Sequence, residues 1–296
     1  MMNKELLDSL GIKVENIKKQ GKATIINNQY VIKRIEQDNK FYDYLITRGF
    51  NYFPKIYATS DNMLEITDYI KDKEIPKEQR LEDIIYLDSI LHLNTSFDKV
   101  IDIDKIKEIY ETNIDYLSEL SNYYLNIQNI IEEEIYMSPA NYLLIRNISL
   151  IYKAISMSRK YFDKWYKEIE KTSSVRYVYT HGNLRESHLL EDNNLYLISW
   201  DKSKIDFPIK DIETFYKNSY LDINLKDILK IYERKYPLKK EEKHLLYAYL
   251  LIPNKINFTN TEYLKIQEIS NLILYLEDIL DNLKDNSEET NNNPNK

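Results

Sequence analysis

Cysteine is absent from the 296 residues. That excludes disulfides, thiolate nucleophiles and thiolate metal sites together, and fits a reducing compartment. Only four glycines occur, Gly11, Gly21, Gly49 and Gly182. They lie too far apart to write a G-x-G-x-x-G fingerprint or a G-x-x-x-x-G-K-[ST] phosphate loop. No apolar run approaches the ~20 residues that a membrane helix needs. The opening Met1-Met2-Asn3-Lys4-Glu5-Leu6-Leu7 carries an acid too early for a secretory signal. The expectation is a soluble, cytoplasmic protein with no membrane partner. Basic charge is in deficit, 41 Lys and Arg against 48 Asp and Glu for a net charge of -7, so nucleic acid is not an expected partner. What is present is a globular mixture, 43% hydrophobic and 30% charged, long enough for one large domain or two packed lobes.

Local patterns divide the chain. Residues 3 to 10 read as a short helix stopped by Gly11. From Lys22 to Ile35, two β-rich runs flank Asn27-Asn28, residues that tolerate positive φ, which predicts a hairpin. Phe41, Tyr44, Leu45 and Arg48 fall at helical spacing before Gly49, and Met63 to Ile70 reads as a strand. After Pro76 the pattern turns helical for about a hundred residues. Apolar positions from Ile106 to Ile135 repeat at three and four, predicting a helix over 104–136. Ser138-Pro139 supplies an N-cap and a first-turn proline for a second helix over 138–170, antiparallel to the first. Residues 175 to 201 return to β, with strands at Val175–Thr180, His188–Leu190 and Leu195–Trp200 around an Asn193-Asn194 turn. Helices resume from Ile209 to about Lys284. The expected organisation is an α+β chain with a β-rich lobe over 1–70, a helical lobe over 71–285 and a frayed tail over 286–296.

The chemistry-bearing stretch is Thr180-His181-Gly182-Asn183-Leu184-Arg185-Glu186-Ser187-His188, followed by Ile198-Ser199-Trp200-Asp201. Strand, polar loop, strand, tight turn and strand is the layout on which kinases place a catalytic Asp, an Asn five residues later for Mg²⁺, and a second metal-binding Asp. His181-Gly182-Asn183 resembles the His-Gly-Asp of the aminoglycoside/choline phosphotransferase superfamily, and Ile198-Ser199-Trp200-Asp201 resembles its Ile-Asp-Trp-Glu. Lys204-Ile-Asp206-Phe-Pro208-Ile-Lys-Asp211 and Tyr236-Pro237-Leu238, with Leu250-Leu-Ile-Pro253, are similar to segments of the spore-coat-associated CotS-type branch. Tyr30-Val31-Ile32-Lys33-Arg34 is similar to the strand carrying the nucleotide-phosphate lysine.

The resemblance implies a two-lobed, protein-kinase-like fold with degenerate catalytic motifs. It makes Lys33 a phosphate-binding candidate and Asp43 the nearest candidate for its ion-pair partner. Asp68 and Tyr69 fall at the hinge that would meet a nucleotide base. Asn183 stands at the base position, and His188, Ser199 and Asp201 stand at or beside the metal positions. A neutral amide cannot take up a proton near pH 7, and an imidazole and a hydroxyl are poor Mg²⁺ ligands. The expected protein is therefore a pseudokinase that binds ATP with weak or no Mg²⁺, or no nucleotide, and acts on a protein partner in the spore-coat setting of that branch. The alternative is an active small-molecule phosphotransferase with atypical metal ligation. Asp201, two residues after Ser199 and so on the same face of a strand, would hold a cation if the strand end were displaced. His92 reads as a packed core histidine.

Overall fold

The computed structural model describes residues 7–8, 10–34, 39–60 and 64–291. The chain forms two compact units, Met1–Phe97 with Tyr177–Phe215 and Ile231–Tyr236, and Asp98–Arg176 with Tyr216–Lys230 and Pro237–Lys296.

The first unit is built on a five-stranded antiparallel sheet in the order β1-β2-β3-β5-β4, comprising β1 (Ile17–Gln20), β2 (Ala23–Ile26), β3 (Tyr30–Arg34), β4 (Ile56–Ser60) and β5 (Leu64–Asp68). The β2–β3 hairpin turns at Asn27 and Asn28, both at φ 53, the left-handed region that asparagine tolerates. The Asn27 side chain also accepts from the backbone N–H groups of Glu15 and Asn16, at 2.9 and 3.0 Å, and so orders the approach to β1. Ile26, Ile32 and Ile66 close a buried core with Leu7 and Ile12. Of the expected helix over 3–10, Leu7 and Asp8 are helical and residues 3–6 and 9 lie outside the described residues. Gly11, at φ +68, ends that turn, with Ile12 N–H donating to the Leu7 carbonyl at 3.0 Å. Met63 lies outside the described residues. Strands β1 and β4 were not expected: Ile17-Lys-Lys-Gln20 is exposed along its length, so it carries no apolar alternation.

Helix α1 (Asn39–Thr47) ends before Gly49 at φ +81, and α2 (Lys77–Thr95) follows. Leu81, Ile84, Ile85, Leu87 and Leu91 of α2 are wholly or almost wholly buried, each contributing about 1.5–3 kcal/mol by removal from water. A short strand, β6 (Phe97–Val100), interrupts what the sequence reads as continuous helix. It joins β7 (Ser174–Thr180) and β10 (Lys204–Asp206) in a sheet ordered β10-β7-β6. Strands β8 (Leu189–Glu191) and β9 (Leu195–Leu197) form a separate antiparallel hairpin.

In the second unit, α3 (Ile103–Glu132) and α4 (Pro139–Ile169) are antiparallel. Tyr110 reaches Asp163 at 2.7 Å, Arg159 reaches Ser118 at 3.0 Å and Tyr152 reaches Gln128 at 2.9 Å, so residue numbers fall on one helix as they rise on the other. Ser138 caps α4, its hydroxyl accepting from Asn141 N–H at 3.3 Å, with Pro139 in the first turn. The first helix stops before position 136: Glu132, Glu133 and Glu134 place negative charge against the negative end of the helix dipole, and Ile135 is 89% exposed and outside the buried stripe. Helices α5 (Ile209–Ser219), α6 (Leu225–Glu233), α7 (Lys240–Leu250) and α8 (Glu262–Asn291) complete the described elements. The last extends into the segment expected to fray; Ser287-Glu288-Glu289 keeps enough helical propensity to continue the preceding turns, and residues 292–296 lie outside the described residues.

Candidate functional site

The loop after β7 is held by one buried carboxylate. Asp211, at the start of α5 and wholly buried, accepts the backbone N–H groups of His181 at 2.6 Å and Gly182 at 2.7 Å. His181 is itself wholly buried. Its Nε2–H donates to the Ile198 carbonyl at 2.9 Å, and its Nδ1 accepts from Asn183 N–H at 3.3 Å, which fixes the neutral tautomer. Burial pulls the His181 pKa down to about 4, against the partial support of Asp211. The Trp200 ring packs against the imidazole with centroids 4.5 Å apart. Gly182 sits at φ +74, and a Cβ there would run into the Lys202 carbonyl.

The loop then closes on itself. The turn Glu186–His188 is 3₁₀, and His188 Nδ1–H donates to the Asn183 carbonyl at 2.6 Å. Burial lowers the His188 pKa, so the ring is neutral near pH 7. Ile198 N–H donates to the His188 carbonyl at 2.9 Å, bringing Ser199 beside the loop. Arg80, almost fully buried on α2, donates to the Leu189 carbonyl at 2.7 Å and pairs with Asp72 at 3.1 Å. Lys73 N–H donates to the Glu191 carbonyl at 2.8 Å. The segment after β5 is thereby fastened to the β8–β9 hairpin.

Between the five-stranded sheet and this hairpin lies a cavity of about 550 Å³. Ala23, Val31, Leu189 and Ile198 give it apolar walls, and Lys33, Glu65, Asp68 and Asp201 give it charges of both signs. Lys33 faces it, as the alternation of β3 requires, and lies directly opposite Glu65 in the strand register. Lys33 Nζ is 3.8 Å from Glu65 Oε1. Glu65 is 2% exposed and its Oε2 has no hydrogen-bond partner. Burial raises its pKa, opposed by Lys33 and the Tyr42 hydroxyl.

Five of the eight residues singled out from the sequence line this cavity: Lys33, Asp68, Tyr69, Ser199 and Asp201. Asn183 and His188 are joined to each other and adjoin it through Ser187 and Leu189, which line it. Asp43 does not take part. It is exposed on α1, and the acid beside Lys33 is Glu65, because cross-strand register brings β5 nearer than the helix. The Asp68 carboxylate is already engaged by the Tyr57 hydroxyl at 2.7 Å. The expected strand through Trp200 ends at Leu197: Ser199 is left-handed, at φ 68, and Trp200–Lys202 is a 3₁₀ turn. The same-face argument for Asp201 therefore fails, and Asp201 reaches the cavity rim by the turn instead.

Sequence reasoning missed Glu65, whose signal was an acid inside the apolar run 63–70. It matched Asp211 to a motif without assigning it the anchoring role. The residues that the sequence resemblance puts at the metal positions do not fit Mg²⁺. His188 offers an imidazole whose Nδ1 is committed to Asn183, and Ser199 offers a neutral hydroxyl, whereas Mg²⁺ takes hard anionic oxygens in octahedral array. Of the residues at or beside those positions Asp201 is the one carboxylate, and it is exposed.

No family model and no curated protein matches the sequence. In structure the chain is similar to an aminoglycoside phosphotransferase from Alicyclobacillus acidocaldarius, with a TM-score of 0.72 at 12% identity over 94% of this chain and 93% of that one. It is also similar to a glucosamine kinase solved with glucosamine, ADP and inorganic phosphate, with a TM-score of 0.55 at 10% identity over 91% and 81%. The spectinomycin phosphotransferase APH(9)-Ia solved with ADP and spectinomycin gives a TM-score of 0.53 at 13% identity over 95% and 98%.

Proposed function

From the kinase-like α+β fold that the chain shares with these phosphotransferases, we propose that this protein is a pseudokinase, working by what its cleft binds and transferring no phosphate. One observation carries the reading. At the three positions where phosphoryl transfer needs a base and two anionic or amide metal ligands stand Asn183, His188 and Ser199, with His188 tied to the Asn183 carbonyl at 2.6 Å. Transfer depends on positioning and on charge neutralisation at the phosphates, and none of these three side chains carries negative charge near pH 7. Two of the structural neighbours contain ADP, and the cavity's apolar walls suit a nucleoside here. Glu65 beside Lys33 offsets the charge that a triphosphate would meet. The expected ligand is thus a nucleoside or metal-free nucleotide. The spore-coat setting of the CotS-type branch rests on the sequence motifs, and within it the protein acts on a protein partner.

Isothermal titration with ATP, in Mg²⁺ and in chelator, tests this beside a turnover assay against sugar and amino-alcohol acceptors. The expected result is weak binding that Mg²⁺ does not improve, and no turnover. Metal dependence should appear only when Asn183→Asp, His188→Asn and Ser199→Asp are combined. An aspartate tolerates the left-handed backbone at position 199. Robust Mg²⁺-dependent turnover that survives Asn183→Ala would show that another residue supplies the chemistry, and the proposal would fall.

A further inference from the structure

Helix α2 carries a second polar cluster, away from the cavity. Asp88 and His92 are four residues apart on α2, and Asp211 faces them from α5. All three are wholly buried. His92 Nε2 lies 3.4 Å from Asp88 Oδ1 and 3.3 Å from Asp211 Oδ2. One donor atom from each residue falls within 4.8 Å of the others. Neither oxygen of Asp88 has a hydrogen-bond partner. A buried carboxylate in that condition is strongly unfavourable unless something neutralises it.

We propose that Asp88, His92 and Asp211 form a structural site for a divalent transition-metal ion, zinc above all, which fastens α2 to the loop carrying Asn183. Of these separations, the one to Asp211 is a hydrogen bond at the long end of the range and the one to Asp88 is too long to be one. They match the edge of a tetrahedron of ligands around zinc, about 3.3 Å for bonds of about 2.0–2.1 Å. Two carboxylates and a neutral imidazole carry two negative charges, which a divalent ion balances. Ligands at i and i+4 on one helix face are a spacing that holds zinc elsewhere. With both oxygens available, Asp88 can supply a second ligand atom and give a distorted four-coordinate site.

The surroundings have the form of a second shell. His92 Nδ1 is 2.5 Å from the Tyr232 hydroxyl, which orients the ring and leaves Nε2 for the metal. Asp211 is oriented by the N–H groups of His181 and Gly182. A metal here would stiffen the backbone of the loop without entering the cleft, whether or not the cleft is catalytic.

The full-length protein, produced in medium supplemented with zinc, manganese, iron, cobalt and nickel and purified without a metal-affinity column, is measured by plasma mass spectrometry. Near-stoichiometric transition metal is expected, abolished by Asp88→Asn and retained by Asp201→Asn, which reports on the cleft. Metal retained in Asp88→Asn would place it elsewhere and overturn the assignment. If Asp88→Asn fails to fold, cobalt introduced during refolding of the wild-type chain should give the intense visible bands of a tetrahedral N/O site. Wild-type protein free of transition metal after expression, and without those bands after refolding with cobalt, would overturn the proposal in favour of a proton shared between Asp88 and Asp211.

Discussion

At the scale of single residues, Gly182 has the narrowest tolerance of the four glycines. Its φ of +74 is left-handed, and the space where a Cβ would stand is filled by the Lys202 backbone. A backbone carbonyl cannot rotate away as a side-chain end can, so Gly182→Ala meets dihedral strain and a steric clash together. The expected loss of stability is about 3 kcal/mol or more, measured as a fall in the urea midpoint with the slope unchanged. A variant within about 0.5 kcal/mol of wild type would mean that the loop relaxes freely. Asp211 matters for a related reason: it satisfies two N–H groups of the same loop, the buried one of His181 and the partly buried one of Gly182, and a buried N–H left without a partner is costly.

At the scale of elements, the start of α4 shows how a long helix is fixed at its end. Its orphan N–H groups are met twice, by Ser138 from its own chain and by Glu262 from α8, whose Oε1 accepts Ala140 N–H at 2.7 Å. The Glu262 pKa is lowered to about 2 by its bonds to Lys265 and then to Ala140 N–H. A carboxyl depressed from an unfolded value of 4.5 contributes stability above that pH and loses it as pH falls toward 2. Glu262→Gln should therefore melt below wild type at neutral pH, and the two curves should converge as the pH is lowered through that window. A gap in melting temperature that stays constant with pH would assign the effect to packing. The β2–β3 hairpin rests on the same logic at smaller size, two asparagines supplying a left-handed turn.

At the scale of the whole molecule, neither compact unit is a continuous stretch of chain. The first draws on Met1–Phe97, Tyr177–Phe215 and Ile231–Tyr236. A fragment ending at Phe97 lacks the Asp211 anchor, the β8–β9 hairpin and the Leu189 carbonyl that Arg80 meets, although it keeps the five-stranded sheet. It is expected to show no cooperative unfolding transition by circular dichroism in urea. A sharp transition with a native-like slope would show that the sheet and its helices suffice alone.

What the sequence by itself determined is what depends on a residue and its near neighbours. Asn27-Asn28, Gly11, Gly49 and Ser138-Pro139 each act through their own dihedral preferences or through a bond to an N–H a few residues on, and each turn or cap stands where it was expected. The α3–α4 pair follows from apolar period and a short link. The kinase-like fold was legible because the catalytic-loop motif keeps its order along the chain. Tertiary structure alone decided the pairing of Lys33 with Glu65 over Asp43, since strand register sets cross-strand neighbours and register is not written in either strand. It decided that Ser199 leaves the strand in a left-handed turn, which changes how Asp201 reaches the cleft. It also brought Asp88 and His92 to Asp211 and sealed all three from water. Burial is what turns an ordinary helical aspartate into a carboxylate that must find a proton or a cation, and burial depends on residues more than a hundred positions away.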